Sequence, residues 1–202
     1  MSGLPMLVEC DDLRVLIVGG GAVAARKAKQ LDAAGARLRI VSPELCDELE
    51  SLVLSRAIPV ERLAYEHADI GDAQMIIAAT NDRAVNAQVA RDCDDASRLL
   101  NAADFSTDGE LAMMATHKRG ALTVGVSAGG VPAAASRIRD AIGERFDARY
   151  GDAIAELSSL RARLISSGEA AAWRERAREL IAQDFCEAVE DGTLNERIAR
   201  WR

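Results

Sequence analysis

The chain has 202 residues, 49% of them hydrophobic but only 3% aromatic, so one ordinary domain with an appendage, or two small domains, must be built around Ala, Val, Leu and Ile. A net charge of −7 argues against a general nucleic-acid binder, which needs an excess of Lys and Arg to neutralise phosphates, yet it leaves room for a local basic pocket. No apolar run is long enough to span a bilayer, the N-terminus lacks the basic and apolar regions of a signal peptide, and Cys10, Cys46, Cys93 and Cys186 form no C-x-x-C pair; a cytoplasmic protein with reduced cysteines is expected.

Residues 5–10 read as an edge strand, and Asp11-Asp12 as its turn into the next one. Val15-Leu16-Ile17-Val18 is a short apolar run, long enough for a buried strand and too short for a helix. Gly19-Gly20-Gly21 follows, then an Ala-rich helical segment over 22–34, Gly35 suited to its end, and a second strand at 37–41. Gly19, Gly21 and Ala24 fit the spacing G-x-G-x-x-G/A. In that pattern the first position makes a tight turn, the second lets backbone approach a pyrophosphate, and the third lets the helix pack close to the strand. The N–H groups that open the helix, at Ala22 and Val23, would then face the phosphates. Set inside a βαβ unit, the pattern points to a dinucleotide; the bland reading is a tight turn with no ligand.

The second strand ends Val41-Ser42-Pro43-Glu44, where a typical NAD site has an acidic residue for the ribose hydroxyls. Ser42 and Pro43 are cofactor candidates with Glu44 close by, although Pro43 and Glu44 also suit the start of a helix over 44–54. No Arg sits immediately beyond the strand to hold a 2′-phosphate, which favours NAD over NADP. A third strand is expected at 58–63 and a loop or short helix at 65–72. The apolar run from Met75 then ends in Thr80-Asn81-Asp82. Ligands gather at the carboxyl ends of strands in a doubly wound sheet, so these three are cofactor candidates, while Asn81 or Asp82 also suits a cap for a helix over 83–93. Residues 99–104 form a fifth strand with Asn101 and Asp104 at its polar end, completing a Rossmann-type domain near residue 110.

Residues 110–116 and 121–127 read as two strands around a polar turn, His117-Lys118-Arg119-Gly120. Ala128-Gly129-Gly130-Val131-Pro132 leads into a helix over 133–150, and the remainder is helical with breaks at 166–168 and 191–192. His67 and His117 have no partner at metal-ligand spacing, so surface or hydrogen-bonding roles are expected and no resident metal.

Several of these segments, in this order, carry a resemblance. Leu4-Pro5-Met6, the glycine stretch ending Val23-Ala24-Ala25-Arg26-Lys27-Ala28, Gly35-Ala36, Ala78-Ala79-Thr80-Asn81-Asp82 with Val85-Asn86, Asn101-Ala102-Ala103-Asp104, and Val126-Ser127-Ala128-Gly129-Gly130 together resemble the precorrin-2 dehydrogenase/sirohydrochlorin ferrochelatase family, the N-terminal module of siroheme synthase. The resemblance spans residues 1–145, and the tail matches in length and character. It implies a doubly wound α/β NAD-binding Rossmann domain over 1–112, a small α+β dimerisation and substrate domain over 113–145, and a helical C-terminal domain over 146–202. It implies a homodimer, and NAD-dependent oxidation of precorrin-2 to sirohydrochlorin; some members also insert ferrous iron. The methyltransferase half of siroheme synthase has no counterpart here and is expected on another protein.

Asp104 matches the family's key aspartate and is the expected catalytic base, taking a proton while a bound nicotinamide takes hydride; the plainer role is to cap the following turn. Asn101 is expected to orient backbone or cofactor. Precorrin-2 carries many carboxylates, for which Lys118, Arg119 and Arg137, with Arg139, are candidates alongside an anion-binding turn at Ser127 and Gly129. Leu111-Ala112-Met113-Met114-Ala115 departs from the Phe-x-x-Pro common in the family, and Ala128 stands where some members have a phosphorylatable serine, so that modification is not expected. The rival reading from another class is an NAD(H)-sensing regulatory module without turnover.

Overall fold

A computed structural model describes residues 3–102, 109 and 111–201. It divides into two compact units, Met6–Met113, and Met114–Arg202 with Met1–Pro5.

In the first unit β1 (Arg14–Val18), β2 (Arg37–Val41), β3 (Val60–Glu61), β4 (Met75–Ala78) and β5 (Leu99–Ala102) form a parallel sheet in the order β3-β2-β1-β4-β5. The register sets Val18 level with Val41 on one side and Ala78 on the other, and Ala78 level with Ala102. Four strands therefore end along one line. Val15 and Ile17 join a core with Ala24, Ala25, Ala28 and Leu31 of α1 (Ala22–Ala33) and Leu49 and Val53 of α2 (Asp47–Arg56). Leu16 and Val18 face the other way, into a core with Val89 and Cys93 of α3 (Arg83–Asp95). Both faces are covered, which is why β1 reads as an unbroken apolar run rather than an alternating one. Each such side chain contributes roughly 1.5–3 kcal/mol by leaving water. Ala24, at the third motif position, is fully buried, and its small side chain lets α1 lie close to β1.

The sheet departs from expectation at its margins. Residues 5–10 form no strand, and Leu4, Met6 and Leu7 are exposed; with no partner strand their apolar side chains stay largely in solvent. The third strand shrinks to Val60–Glu61, because it is an edge strand and the preceding Pro59 has no N–H to give the ladder. The second helix begins at Asp47 rather than at 44, since Ser42 to Cys46 are held in a turn described below. Within 65–72 the short-helix alternative is realised at His67–Ile70.

The second unit opens with an antiparallel hairpin, β6 (Ala115–Arg119) and β7 (Leu122–Val126). Helices α4 (Pro132–Arg145), α5 (Ala148–Ser166), α6 (Ala170–Leu180), α7 (Phe185–Asp191) and α8 (Thr193–Ala199) follow, with Tyr150, Leu157, Leu160, Leu180, Leu194 and Ile198 in their core. His117, Lys118 and Arg119 are strand residues, not turn residues: Arg119 pairs with Leu122, and the reversal falls at Gly120, with φ +52°. The helix expected over 133–150 is two helices. Phe146 leaves helical geometry at ψ 70°, and Asp147 restarts it by accepting the Arg149 N–H at 3.0 Å. The breaks expected near 167 and 192 are present, with Gly168 and Gly192 at φ +80° and +85°. No helix of the described residues is long and apolar enough to cross a membrane.

A candidate dinucleotide cradle

The loop between β1 and α1 lies at the centre of the line of strand ends. Gly19 has φ +119°, and a Cβ there would come within 2.4 Å of the Ala79 carbonyl oxygen at the end of β4. A Cβ on Gly20 would stand 1.8 Å from the Glu44 carbonyl oxygen and 2.7 Å from Ser42 Oγ. Gly21 is different: a Cβ there would meet nothing within 4 Å. Packing within the protein thus explains two glycines and leaves the third facing open space. That space lies at the N-terminus of α1, where Gly21 provides no side-chain cap and the first turn has no acidic residue. The first N–H groups of a helix have no partner inside it, and with the helix dipole they favour an anion. A pyrophosphate fits this cradle, with Gly21, Ala22 and Val23 as the residues to hold it.

The flanking strand ends are preorganised. Beyond β2, buried Ser42 donates through Oγ to the Glu44 carbonyl at 2.7 Å, and the Cys46 N–H donates to the Gly20 carbonyl at 2.8 Å. Pro43 and Glu44 are exposed on the outer side of this turn. Beyond β4, Thr80 is tied to buried Asn86: the Thr80 hydroxyl lies 2.9 Å from Asn86 Oδ1, and Asn86 Nδ2 donates to the Thr80 carbonyl at 3.0 Å. Asp82 caps α3, accepting the Ala84 N–H at 2.8 Å, while Asn81 is exposed at the tip. The capping role expected of Asp82 is therefore present.

Near the end of β5, buried Asn101 donates through Nδ2 to the Leu111 carbonyl at 2.6 Å, and its Oδ1 accepts from Lys27 Nζ of α1. Lys27 is the residue that reading by motif overlooked. Within an Arg-Lys pair on a helix it looks like a surface charge, and the available signal was its place on the same stripe as Ala24, Ala28 and Leu31.

Gly19, Gly21, Ala22, Val23, Ser42, Pro43, Thr80, Asn81, Asp82 and Asn101 thus all lie at or beside the carboxyl ends of β1, β2, β4 and β5. Asp104 lies outside the described residues. The residues considered for substrate belong to the second unit. Lys118, Arg119 and Arg137 are exposed there, and Arg139 pairs with Asp140 at 2.6 Å. Ser127 and Gly129 are exposed in a turn closed by the Val131 N–H to the Ala128 carbonyl at 2.9 Å. Neither histidine stands free: His67 Nδ1 meets Asp92 Oδ1 at 2.9 Å, and His117 Nε2 meets the Phe146 carbonyl at 2.6 Å.

Residues 6–115, which include the whole cradle, match the family model described as "Putative NAD(P)-binding". The chain belongs to this NAD(P)-binding family. Membership bears out the NAD cofactor expected from the sequence. Among curated relatives, the siroheme synthase of Saccharophagus degradans is 33% identical over 204 residues, covering 98% of this chain and 42% of that protein. That of Pseudomonas putida strain W619 is 34% identical over 203 residues, covering 98% and 41%. Siroheme synthase 1 of Aeromonas salmonicida is 36% identical over 165 residues, covering 81% and 35%. The chain spans about two fifths of the length of the first two. A solved structure of SirC, precorrin-2 dehydrogenase, shares the fold, with a TM-score of 0.73 at 24% identity, covering 98% of this chain and 99% of that one.

Proposed function

We propose that this chain is a cytoplasmic, homodimeric, NAD-dependent precorrin-2 dehydrogenase that oxidises precorrin-2 to sirohydrochlorin. The observation that carries this reading is the alignment of siroheme synthases with 98% of the chain, the NAD-type cradle falling inside the aligned region. The missing Arg beyond β2, with exposed Glu44 in that turn, supports NAD over NADP. Oxidation removes a hydride and a proton from the macrocycle. Bound NAD supplies the hydride acceptor. The carboxylate of Asp104 takes the proton, since an aspartate is ionised at neutral pH unless strongly buried. Gly21, Ala22 and Val23 hold the pyrophosphate, and Ser42, Pro43, Thr80, Asn81, Asp82 and Asn101 shape the rest of the dinucleotide site. The substrate carboxylates fall to Lys118, Arg119, Arg137, Ser127 and Gly129. The division into an NAD-binding domain at 1–112, a dimerisation and substrate domain at 113–145 and a helical domain at 146–202 belongs to the same reading.

The test is anaerobic turnover of precorrin-2 with NAD, followed by absorbance, then repeated with ferrous ion. NAD-dependent formation of sirohydrochlorin is expected, and Asp104→Ala should lower its rate by about a hundredfold or more while leaving NADH affinity nearly intact. Wild-type turnover in that variant would remove Asp104 from the mechanism. Metal-dependent conversion above the rate without enzyme would add ferrochelation to the activity. NADH binding with no oxidation would favour the sensing module.

A further inference from the structure

Lys27 is 8% exposed and is the only buried Lys or Arg among the described residues. Its ammonium donates to Asn101 Oδ1 and lies 3.8 Å from Met113 Sδ, and no carboxylate pairs with it among the described residues. The amide orientation follows from a separate contact. The Leu111 carbonyl can only accept, so Nδ2 of Asn101 points to it and the amide oxygen is left facing Lys27. A charge whose described partners are one neutral dipole and a thioether is costly to bury. Burial, and then the neighbouring Arg26, pull the pKa of Lys27 down.

The location gives the charge a use. Asn101 stands level with Ile77, one residue before β5 ends. In the strand order β3-β2-β1-β4-β5 a dinucleotide crosses at β1, with the ribose that meets the β2 turn on one side and the nicotinamide half towards β4 and β5. The oxidised nicotinamide ring carries a formal positive charge, and the reduced ring is neutral.

We propose that Lys27 makes the cradle discriminate between the redox states of its dinucleotide, favouring NADH over NAD+. The buried ammonium beside Asn101 disfavours a cationic ring at the ends of β4 and β5 and leaves a neutral ring unaffected. The inference rests on NAD binding and not on the substrate. Where the precorrin-2 reading holds, the same charge strengthens the pull of bound NAD on a hydride.

The test measures equilibrium affinities of the full chain for NADH, by fluorescence, and for NAD+, by competition, without substrate. The ratio of the NAD+ to the NADH dissociation constant in the wild type is the reference, the carboxylate of Asp104 contributing to it alike in every variant. Lys27→Met should shrink that ratio by about tenfold, as expected for two like charges in a partly screened site, and Lys27→Arg should retain it. Asn101→Asp sets a carboxylate against the ammonium and should also shrink the ratio; it carries the test if thermal denaturation shows that Lys27→Met is unfolded. An unchanged ratio of the two affinities in a folded Lys27→Met or Asn101→Asp variant, or a shift towards NADH on losing the ammonium, would overturn the proposal. Failure of the wild type to bind either nucleotide would overturn it together with the cofactor. Failure to oxidise precorrin-2 would count against the substrate alone.

Discussion

At Gly20 an added methyl would collide with the Glu44 carbonyl, whereas at Gly21 it would touch no protein atom. The two neighbours should therefore fail in opposite ways. Gly20→Ala should lose about 1–3 kcal/mol of folding stability, visible as a fall in Tm. Gly21→Asp should keep the wild-type Tm and lose most of its NADH affinity, because its carboxylate takes the space and charge of the pyrophosphate; unchanged affinity would sink the cradle. Asp92 makes a second prediction. Its side chain is 4% exposed and receives Tyr65 Oη at 2.9 Å, Gln88 Nε2 at 2.7 Å and His67 Nδ1 at 2.9 Å. Burial pushes its pKa up, but the hydrogen bonds from His67, Tyr65 and Gln88 outweigh this and hold it below the ordinary carboxylate value. A carboxyl group lowered in the folded chain adds stability above its unfolded pKa of about 3.9 and loses it as pH falls through the folded value. Urea denaturation at several pH values should show a decline below about pH 4. Asp92→Asn should be less stable at neutral pH and lack that part of the decline.

The hairpin and the helices of the second unit approach each other at glycines. A Cβ on Gly151 of α5 would stand 2.3 Å from the Arg119 carbonyl oxygen, and one on Gly143 of α4 would stand 2.9 Å from His117 Nδ1. Gly151→Ala pushes backbone against backbone and should cost about 1–3 kcal/mol in denaturant unfolding, although alanine is the better helix former. A wild-type midpoint would show that the hairpin yields freely. Elements with strong internal periodicity were legible in the sequence: β2 falls at 37–41 as expected, and α1 ends within a residue of its expected limit. Elements decided by what lies beside them were not. The apolar stretch at 5–10 has the composition of a strand but no partner, and the break at Phe146-Asp147 depends on a cap that the sequence does not set apart from Asp140 in the same helical pattern.

On the scale of the molecule, the first unit holds a complete two-sided core and every described residue of the cradle. Residues 6–113 expressed alone should therefore fold cooperatively and retain NADH affinity within about tenfold of the full chain; an unfolded fragment would tie the cradle to the rest of the chain. The cradle was legible because its phosphate-binding part is contiguous, fixed by turn geometry at Gly19 and helix polarity at Ala22. Lys27 was less so: its stripe on α1 hints at burial, but Asn101 and Met113, many residues away in sequence, show which way the ammonium points. In the turn after β2 the Glu44 carbonyl rests on Gly20 and the Cys46 N–H is bonded to the Gly20 carbonyl, so this turn and the glycine loop are a single rigid piece. Grafting a different loop onto residues 42–46 would therefore disturb the glycine loop as well, and on the proposed function a change of coenzyme would require both loops to be exchanged together.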